Sequence, residues 1–458
     1  MTKFRAALCA AVVSSALALP TVVVAAPSDA AGALNAAAPT ARNVSSDASR
    51  DASRAVTKDA VPTLVNKKRD PKNYTPPAGA VFNNPKGSRA ETFRIVNVVV
   101  QAIKNARRGS YIYFTGFLFD SKAASTAMIN AQKRGVHVQV VFDGTIRNRQ
   151  ANRLGKALNK DNKKIKKGQK RRFPDGQLRK WGKDRSFVKW CHLSCRDGGD
   201  PNHAKWYVFT HTGKAKNVVM VSSSNINKGG AQKGYNDMII LKNRKRLTKD
   251  FAFVNDEMAE DSPNDKDGFL QYTRNNVVAR FYPKKAKGDP VMDDLNAIRC
   301  NKANGGAGRN GKTLVHVAMF RWNNQRGFAL AHKLVKLDKQ GCIVKVIYGA
   351  PGSRVVDILR SSARNGGIEL YDSRIFHEPE FEGDERYVTL RTHSKYLLIN
   401  GAIKGDRSSW SVQTGSANWG RSLHAGDENT ITVYNKKTYN KYLANWQHVR
   451  RTISTRVR

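Results

Sequence analysis

A histidine followed two residues later by a lysine occurs twice in this chain. His203 and Lys205 lie in "PNHAKWYVFT", and His393 and Lys395 lie in "RTHSKYLLIN". Each pair runs into an apolar segment and then a turn of small residues that closes on an asparagine. The turns are "VSSSNIN", with Asn225, and "TGSANWG", with Asn418; they carry Ser223 and Ser416. An acidic residue follows each turn, Asp237 in "GYNDMII" and Glu428 in "GDENTIT". Positions i and i+2 of a strand face the same way, so each His and Lys point together. Two imidazoles, two ammonium groups and two amides suit a tetrahedral phosphate. One imidazole can attack phosphorus while the other protonates the leaving oxygen. Lysine and amide donors then meet the charge that develops on the phosphoryl oxygens. This chemistry requires no metal or other cofactor, and no carboxylate cluster stands ready to hold a metal.

The elements that must position these residues also come twice. "TFRIVNVVVQAIKNARRG" places Val96, Val99, Val100 and Ile103 on one helical face, and "SYIYFTGFLF" reads as a buried strand. A helix closed by Gly135 and the strand "VHVQVVFDG" follow. Later the same order returns: a helix with Asp289 as cap and Pro290 at its first position, the strand "KTLVHVAMFRW", a helix, and "CIVKVIYG". This is an internal duplication. The expected fold class is α/β: two duplicated halves, each a mixed sheet flanked by helices, related by a pseudo-twofold with the site at their interface. The expected boundaries are a signal peptide over 1–30 and a flexible Ala/Ser-rich linker over 31–85. The N-terminal half follows over 86–275, with a basic insertion at 147–189, and the C-terminal half over 276–458.

The paired motifs resemble the phospholipase D superfamily, whose signature is His-x-Lys-x4-Asp followed by Gly-Ser-x-Asn. "HSKYLLIN…GSANW" departs from it at Asn400, and "HAKWYVFT…SSSN" departs at Thr210 and Ser222. The resemblance spans about residues 90–450. It implies a two-step displacement through a phosphohistidine, with His203 as nucleophile and His393 as general acid. It further implies that Asp237 and Glu428 orient the opposite histidines. In that family the motif Asp mainly supports the structure, so Thr210 and Asn400 bear on efficiency more than on chemistry. Ser223, Ser416 and Trp419 are expected to bind substrate, and His377 and His424 flank the second copy.

The formal charge of +44 points to polyanionic partners: nucleic acid, anionic membrane or acidic polymer. A basic surface that only keeps the chain soluble is the plainer alternative. Between 147 and 189 stand seventeen Lys/Arg against three Asp, with Phe173, Trp181, Phe187 and Trp190 interleaved, a composition that could track phosphates or enter a lipid interface. The N-terminus has a basic leader, an apolar run and small residues near Ala26–Ala30, the pattern of a secretory signal. Export makes disulfides the expected fate of Cys191 with Cys195 and of Cys300 with Cys342, each pair within one half. Zinc on "CHLSC", with His192 between the thiols, is the rival. The first expectation for function is a secreted, monomeric phospholipase D-like enzyme acting on phosphatidyl lipids at an anionic membrane surface. A metal-independent secreted nuclease and a non-catalytic polyanion binder are the alternatives. A lipid-active mouth would be aromatic, around Phe320, Trp322 and Trp419.

Overall fold

The four apolar residues spaced for a helix do form one: α1 (Arg94–Lys104) buries Val96, Val99, Val100 and Ile103. The computed structural model describes residues 73–162, 171–172, 178–179, 186–262, 268–377 and 387–458. The expected signal segment, most of the tether, Phe173, Trp181 and the middle of the basic stretch lie outside the described residues. Within them, the expected tether ends early. Residues Gly79–Phe82 form strand β1, whose backbone pairs with the first sheet, so the folded part begins before residue 86.

The other strands of the first sheet are β2 (Tyr111–Gly116), β3 (His137–Asp143), β4 (Phe187–Cys191), β5 (Trp206–Thr212), β6 (Ala215–Ser222) and β7 (Asp237–Leu241). They join in the order β1-β7-β6-β5-β2-β3-β4, with β2, β3 and β4 parallel and every other pair antiparallel. Period-two alternation gives the sheet two buried faces. Ile112, Phe114, Val138, Val140 and Phe209 face α1, α2 (Lys122–Lys133) and α3 (Arg149–Asn162). Tyr113, Val141, Trp206 and Val208 face the opposite way, against α4 (Lys245–Glu260).

The C-terminal half contains β8 (Leu270–Arg274), β9 (Val277–Phe281), β10 (Ile298–Arg299), β11 (Leu314–Met319), β12 (Ile343–Tyr348) and β13 (Glu369–Asp372). It continues with β14 (Lys395–Ile403), β15 (Asp406–Gly415), β16 (Asn429–Tyr434) and β17 (Thr455–Val457). Its main path runs β8-β9-β16-β15-β14-β11-β12-β13-β17. Remove the two edge strands and the order matches the first sheet strand for strand, again with only β11, β12 and β13 parallel. The outer face packs on α5 (Pro290–Asn296), capped by Asp289 as expected, and on α6 (Asn324–Lys339) and α7 (Ser353–Arg364). The inner face packs on α8 (Lys436–Ile453) through Tyr439, Tyr442 and Trp446.

The final helix of each half therefore lies between the two sheets. Phe251 of α4 makes edge contacts with Trp206 of the first sheet at 5.5 Å and Phe281 of the second at 4.7 Å. In the same way α8 packs on the second sheet and takes Phe82 of β1 against Tyr442 at 5.0 Å. The two halves share these interior clusters, and residues 66–458 form one unit. Cys191 is joined to Cys195 and Cys300 to Cys342.

Candidate active site

Each His-x-Lys leads into the central strand of its sheet, β5 or β14, and the backbone just before it pairs with the other half. Asn202 bridges Asp427 in parallel, and Thr392 pairs with Tyr235 in the same sense. The amide of His203 donates to the Asp427 carbonyl at 2.9 Å, and that of His393 to the Tyr235 carbonyl at 2.8 Å. The next residue along each partner strand then reaches the histidine ring. Glu428 Oε1 lies 2.9 Å from His203 Nδ1, and Asn236 Oδ1 lies 2.8 Å from His393 Nδ1. Each ring is thus turned so that Nε2 points away from its partner, toward the shared space between the halves.

This arrangement corrects the expectation for Asp237. Its carboxylate is fully buried and accepts from Thr414 Oγ1 and from the Tyr442 hydroxyl, 3.0 Å away; it does not reach His393. Asn236, one residue earlier, does that work. The signal was present in the sequence, because Gly234-Tyr235-Asn236 aligns with Gly426-Asp427-Glu428 once the glycines are matched. Both glycines are sterically required. A Cβ at Gly234 would come 2.8 Å from His393 Cβ, and one at Gly426 would come 3.0 Å from the Pro201 carbonyl oxygen.

Ser223 and Ser416 are also not substrate ligands. Ser223 Oγ donates to Asn236 Oδ1 at 3.2 Å and accepts from the Asp237 amide; Ser416 Oγ donates to Glu428 Oε2 and accepts from the Asn429 amide. Each serine holds the residue that holds the opposite histidine. Trp419 is a core residue, 3% exposed, edge-on to the wholly buried Trp322 at 5.1 Å, so neither lines a mouth. The aromatic groups that do touch the histidines are Phe117, 5.0 Å from the His203 ring, and Phe320, 4.4 Å from His393. Phe117 escaped the sequence reading because a lone Phe after a strand carries no distinguishing pattern. His424 Nδ1 hydrogen-bonds to the Lys284 carbonyl on the surface, and His377 stacks on Tyr387.

Two of the departures from the family signature are side-chain acceptors for backbone amides. Thr210 Oγ1 accepts from the Tyr111 amide at 2.8 Å, and Asn400 Oδ1 accepts from the Gly308 amide at 2.9 Å. A neutral oxygen performs either task, and neither side chain belongs to the histidine cluster. Asn225 Oδ1 accepts from the Leu118 amide at 3.0 Å, which fixes its side-chain amide in place; Asn418 Oδ1 is buried without a partner.

The electrostatics place both lysines and both histidines in one field. Burial pulls Lys205 down from the ordinary lysine value to about 7, against the opposing pull of Glu428 and Asp143. Burial also holds Lys395 well below its ordinary value, with the Lys205 charge adding to the effect. His203 is lowered by burial, but Glu428 works to keep it charged. His393 is driven well below its usual value by burial, then by the charges of Lys395, Lys205, His203 and Arg391. The two rings are therefore matched in geometry and unequal in basicity. Among the described residues no group of acidic, histidine and cysteine side chains is arranged to hold a metal ion.

The fold is shared with solved structures of low sequence identity. Polyphosphate kinase from Porphyromonas gingivalis superposes with a TM-score of 0.50 at 11% identity over 81% of this chain, which spans half the length of that kinase. Phosphatidylserine synthase from Haemophilus influenzae Rd KW20 superposes with a TM-score of 0.50 at 15% identity, covering 82% of this chain and 87% of the synthase. Nuc from Salmonella typhimurium, a phospholipase D family member, covers 40% of this chain and 97% of its own at 19% identity and a TM-score of 0.26. No curated protein sequence matches the chain. The family model described as "Cardiolipin synthase, PLD-like domain" matches residues 99–255 and again 309–450, one match on each half. With both copies of the motif meeting across the interface of the two matched halves, the chain belongs to the phospholipase D superfamily of phosphodiesterases and phospholipid-modifying enzymes.

Proposed function

We propose that this chain is an exported phosphodiesterase that hydrolyses phosphatidyl lipids through a phosphohistidine on His203. The observation that carries the reading is the pair of crossed hydrogen bonds, Glu428 to His203 and Asn236 to His393. The carboxylate favours the positive ring that exists once His203 Nε2 is bound to phosphorus, which suits it to be the nucleophile. The amide orients His393 without stabilising its charged form, which suits that ring to release a proton. In the first step the His203 Nε2 lone pair forms a bond to phosphorus as the bond to the leaving oxygen breaks, and that oxygen takes the proton from His393 Nε2. In the second, neutral His393 removes a proton from water, the water oxygen bonds to phosphorus, and the P–N bond breaks. The products are the free alcohol and a phosphomonoester, and both rings return to their starting states. Lys205, Lys395, Asn225 and Asn418 supply the charge and donors around the phosphoryl oxygens. His393 gains its proton when the substrate's negative charge enters the lysine field.

The signal-like N-terminus and the disulfides support export, and the net charge supports action at an anionic lipid surface. The same charge also favours a nuclease. The test is turnover with EDTA present, on phosphatidylcholine/phosphatidylglycerol vesicles and on plasmid and single-stranded DNA, alongside His203→Ala and His393→Ala. Headgroup release that disappears with His203→Ala and falls about 10²–10⁴-fold with His393→Ala is expected. DNA cleavage with intact lipid, lost in the same variants, overturns the lipid assignment. Salt-sensitive binding without turnover of either substrate overturns the enzyme.

A further inference from the structure

Besides the exchange of Glu428 for Asn236, the two half-sites differ where Arg391 stands. His203 has Phe117 and Lys205 beside it; His393 has Phe320 and Lys395. Two positions before each histidine the symmetry fails, for the place of Arg391 is taken by Pro201 in the first copy. Arg391 shares the face of His393 and Lys395, as i, i+2 and i+4 must in extended chain. All three side chains converge on one ring: Arg391 Cζ lies 5.0 Å from the Phe320 centroid, Lys395 Nζ 4.7 Å and the His393 ring 4.4 Å.

The guanidinium is half-buried, and among the described residues no carboxylate or carbonyl accepts a hydrogen bond from it. Its charged neighbours are cations, Arg321 and Arg374, the latter already paired with Asp372. A partly desolvated guanidinium set among like charges is unfavourable until an anion reaches it, and its planar fork fits phosphate or carboxylate. Phe320 holds it by a cation–π contact that leaves its N–H edge available. Lys395 already serves the scissile phosphate, so Arg391, further along the same face, addresses a different group. In-line attack from His203 places the leaving oxygen on the His393 side, and with it the alcohol that departs.

We propose that Arg391 forms a second anion subsite on the leaving-group side, selecting phosphodiesters whose departing alcohol carries another phosphate or carboxylate. The proposal rests on the assignment of His393 as the acid above and defines the substrate class of that site. Phosphatidyl lipids with an anionic headgroup and oligonucleotides with a further phosphate share this chemistry.

Binding tests it apart from turnover. In the His203→Ala protein, calorimetry compares bis(4-carboxyphenyl) phosphate with diphenyl phosphate, diesters that differ in the charge on the alcohol. The charged diester is expected to bind about tenfold more tightly, one charge-assisted contact's worth. Adding Arg391→Gln should bring the ratio of affinities near one, and Arg391→Lys should restore part of it. Displacement of the charged diester by cardiolipin in mixed micelles, or by a dinucleotide with a terminal phosphate, identifies which source carries the second charge. Equal affinities for the two diesters at the unsubstituted Arg391, a ratio that survives Arg391→Gln, or displacement by neither competitor overturns the proposal. Lipid turnover can fail with this result intact, so failure of the lipid reading and failure of the subsite are distinguishable.

Discussion

At the scale of single residues, the site is a near-symmetric frame whose two histidines take unlike partners. Glu428 and Asn236 occupy equivalent places, held by equivalent serines, yet one is a carboxylate and the other an amide. Asn236→Asp would put a negative charge on His393 Nδ1, favour the imidazolium and raise its pKa. The high-pH limb of kcat, where the general acid loses its proton, should then move upward, while Asn236→Ala should lower kcat about 10²-fold with a smaller change in KM. A pH–rate profile checks both, and an unmoved alkaline limb in Asn236→Asp would sink the assignment of His393 as the acid. The eight polar and charged groups expected at the site were largely legible, because His-x-Lys, the Ser-x-Asn turns and Glu428 are chemistry in local order. Asp237 was the misreading. Which of two adjacent side chains crosses to the other half depends on a backbone pairing that only the folded chain contains.

At the scale of elements, the loop closed by Cys191–Cys195 is tied to the site through Asp427. That carboxylate is buried, accepts from Ser194 Oγ at 2.9 Å and from the Cys195 amide, and is pushed up to about 6 by burial. Its backbone carbonyl receives the His203 amide, and its neighbour is Glu428. Asp427→Ala should therefore cost about 1–3 kcal/mol by orphaning these donors. Opening the loop with Cys191→Ser/Cys195→Ser should lower kcat tenfold or more by loosening the Glu428–His203 contact. Cys300→Ser/Cys342→Ser opens a bridge within the second outer core and serves as the control. It should lower the melting temperature and leave kcat within a factor of about two, since the outer core does not touch the histidines. Equal kcat losses in the two double variants would show that the Cys191–Cys195 loop has no special part in the site. The cysteine pairing was readable from spacing and from the signal-like N-terminus, but the loop's connection to the histidine was not, because Asp427 lies more than 230 positions away.

At the scale of the whole molecule, two sheets of the same strand order enclose α4 and α8. Phe251 touches ring systems of both halves, so its truncation removes packing that neither half holds alone. Phe251→Ala should destabilise the chain by about 3–5 kcal/mol. Calorimetry should still show one transition at a lower temperature, and two separated transitions would mean that the halves are independent. The sequence alone determined the duplication, the α/β class and the paired motifs that mark the superfamily, since these follow from local periodicity and short spacings. Only the tertiary structure decided that Asn236 rather than Asp237 meets His393, that the serines brace rather than bind, and that Trp322 and Trp419 are core. It also decided that Arg391 packs on Phe320 beside His393. Each of these turns on a contact between segments distant in the chain, and the energies that select such contacts, burial and hydrogen-bond satisfaction across an interface, exist only once both surfaces are present.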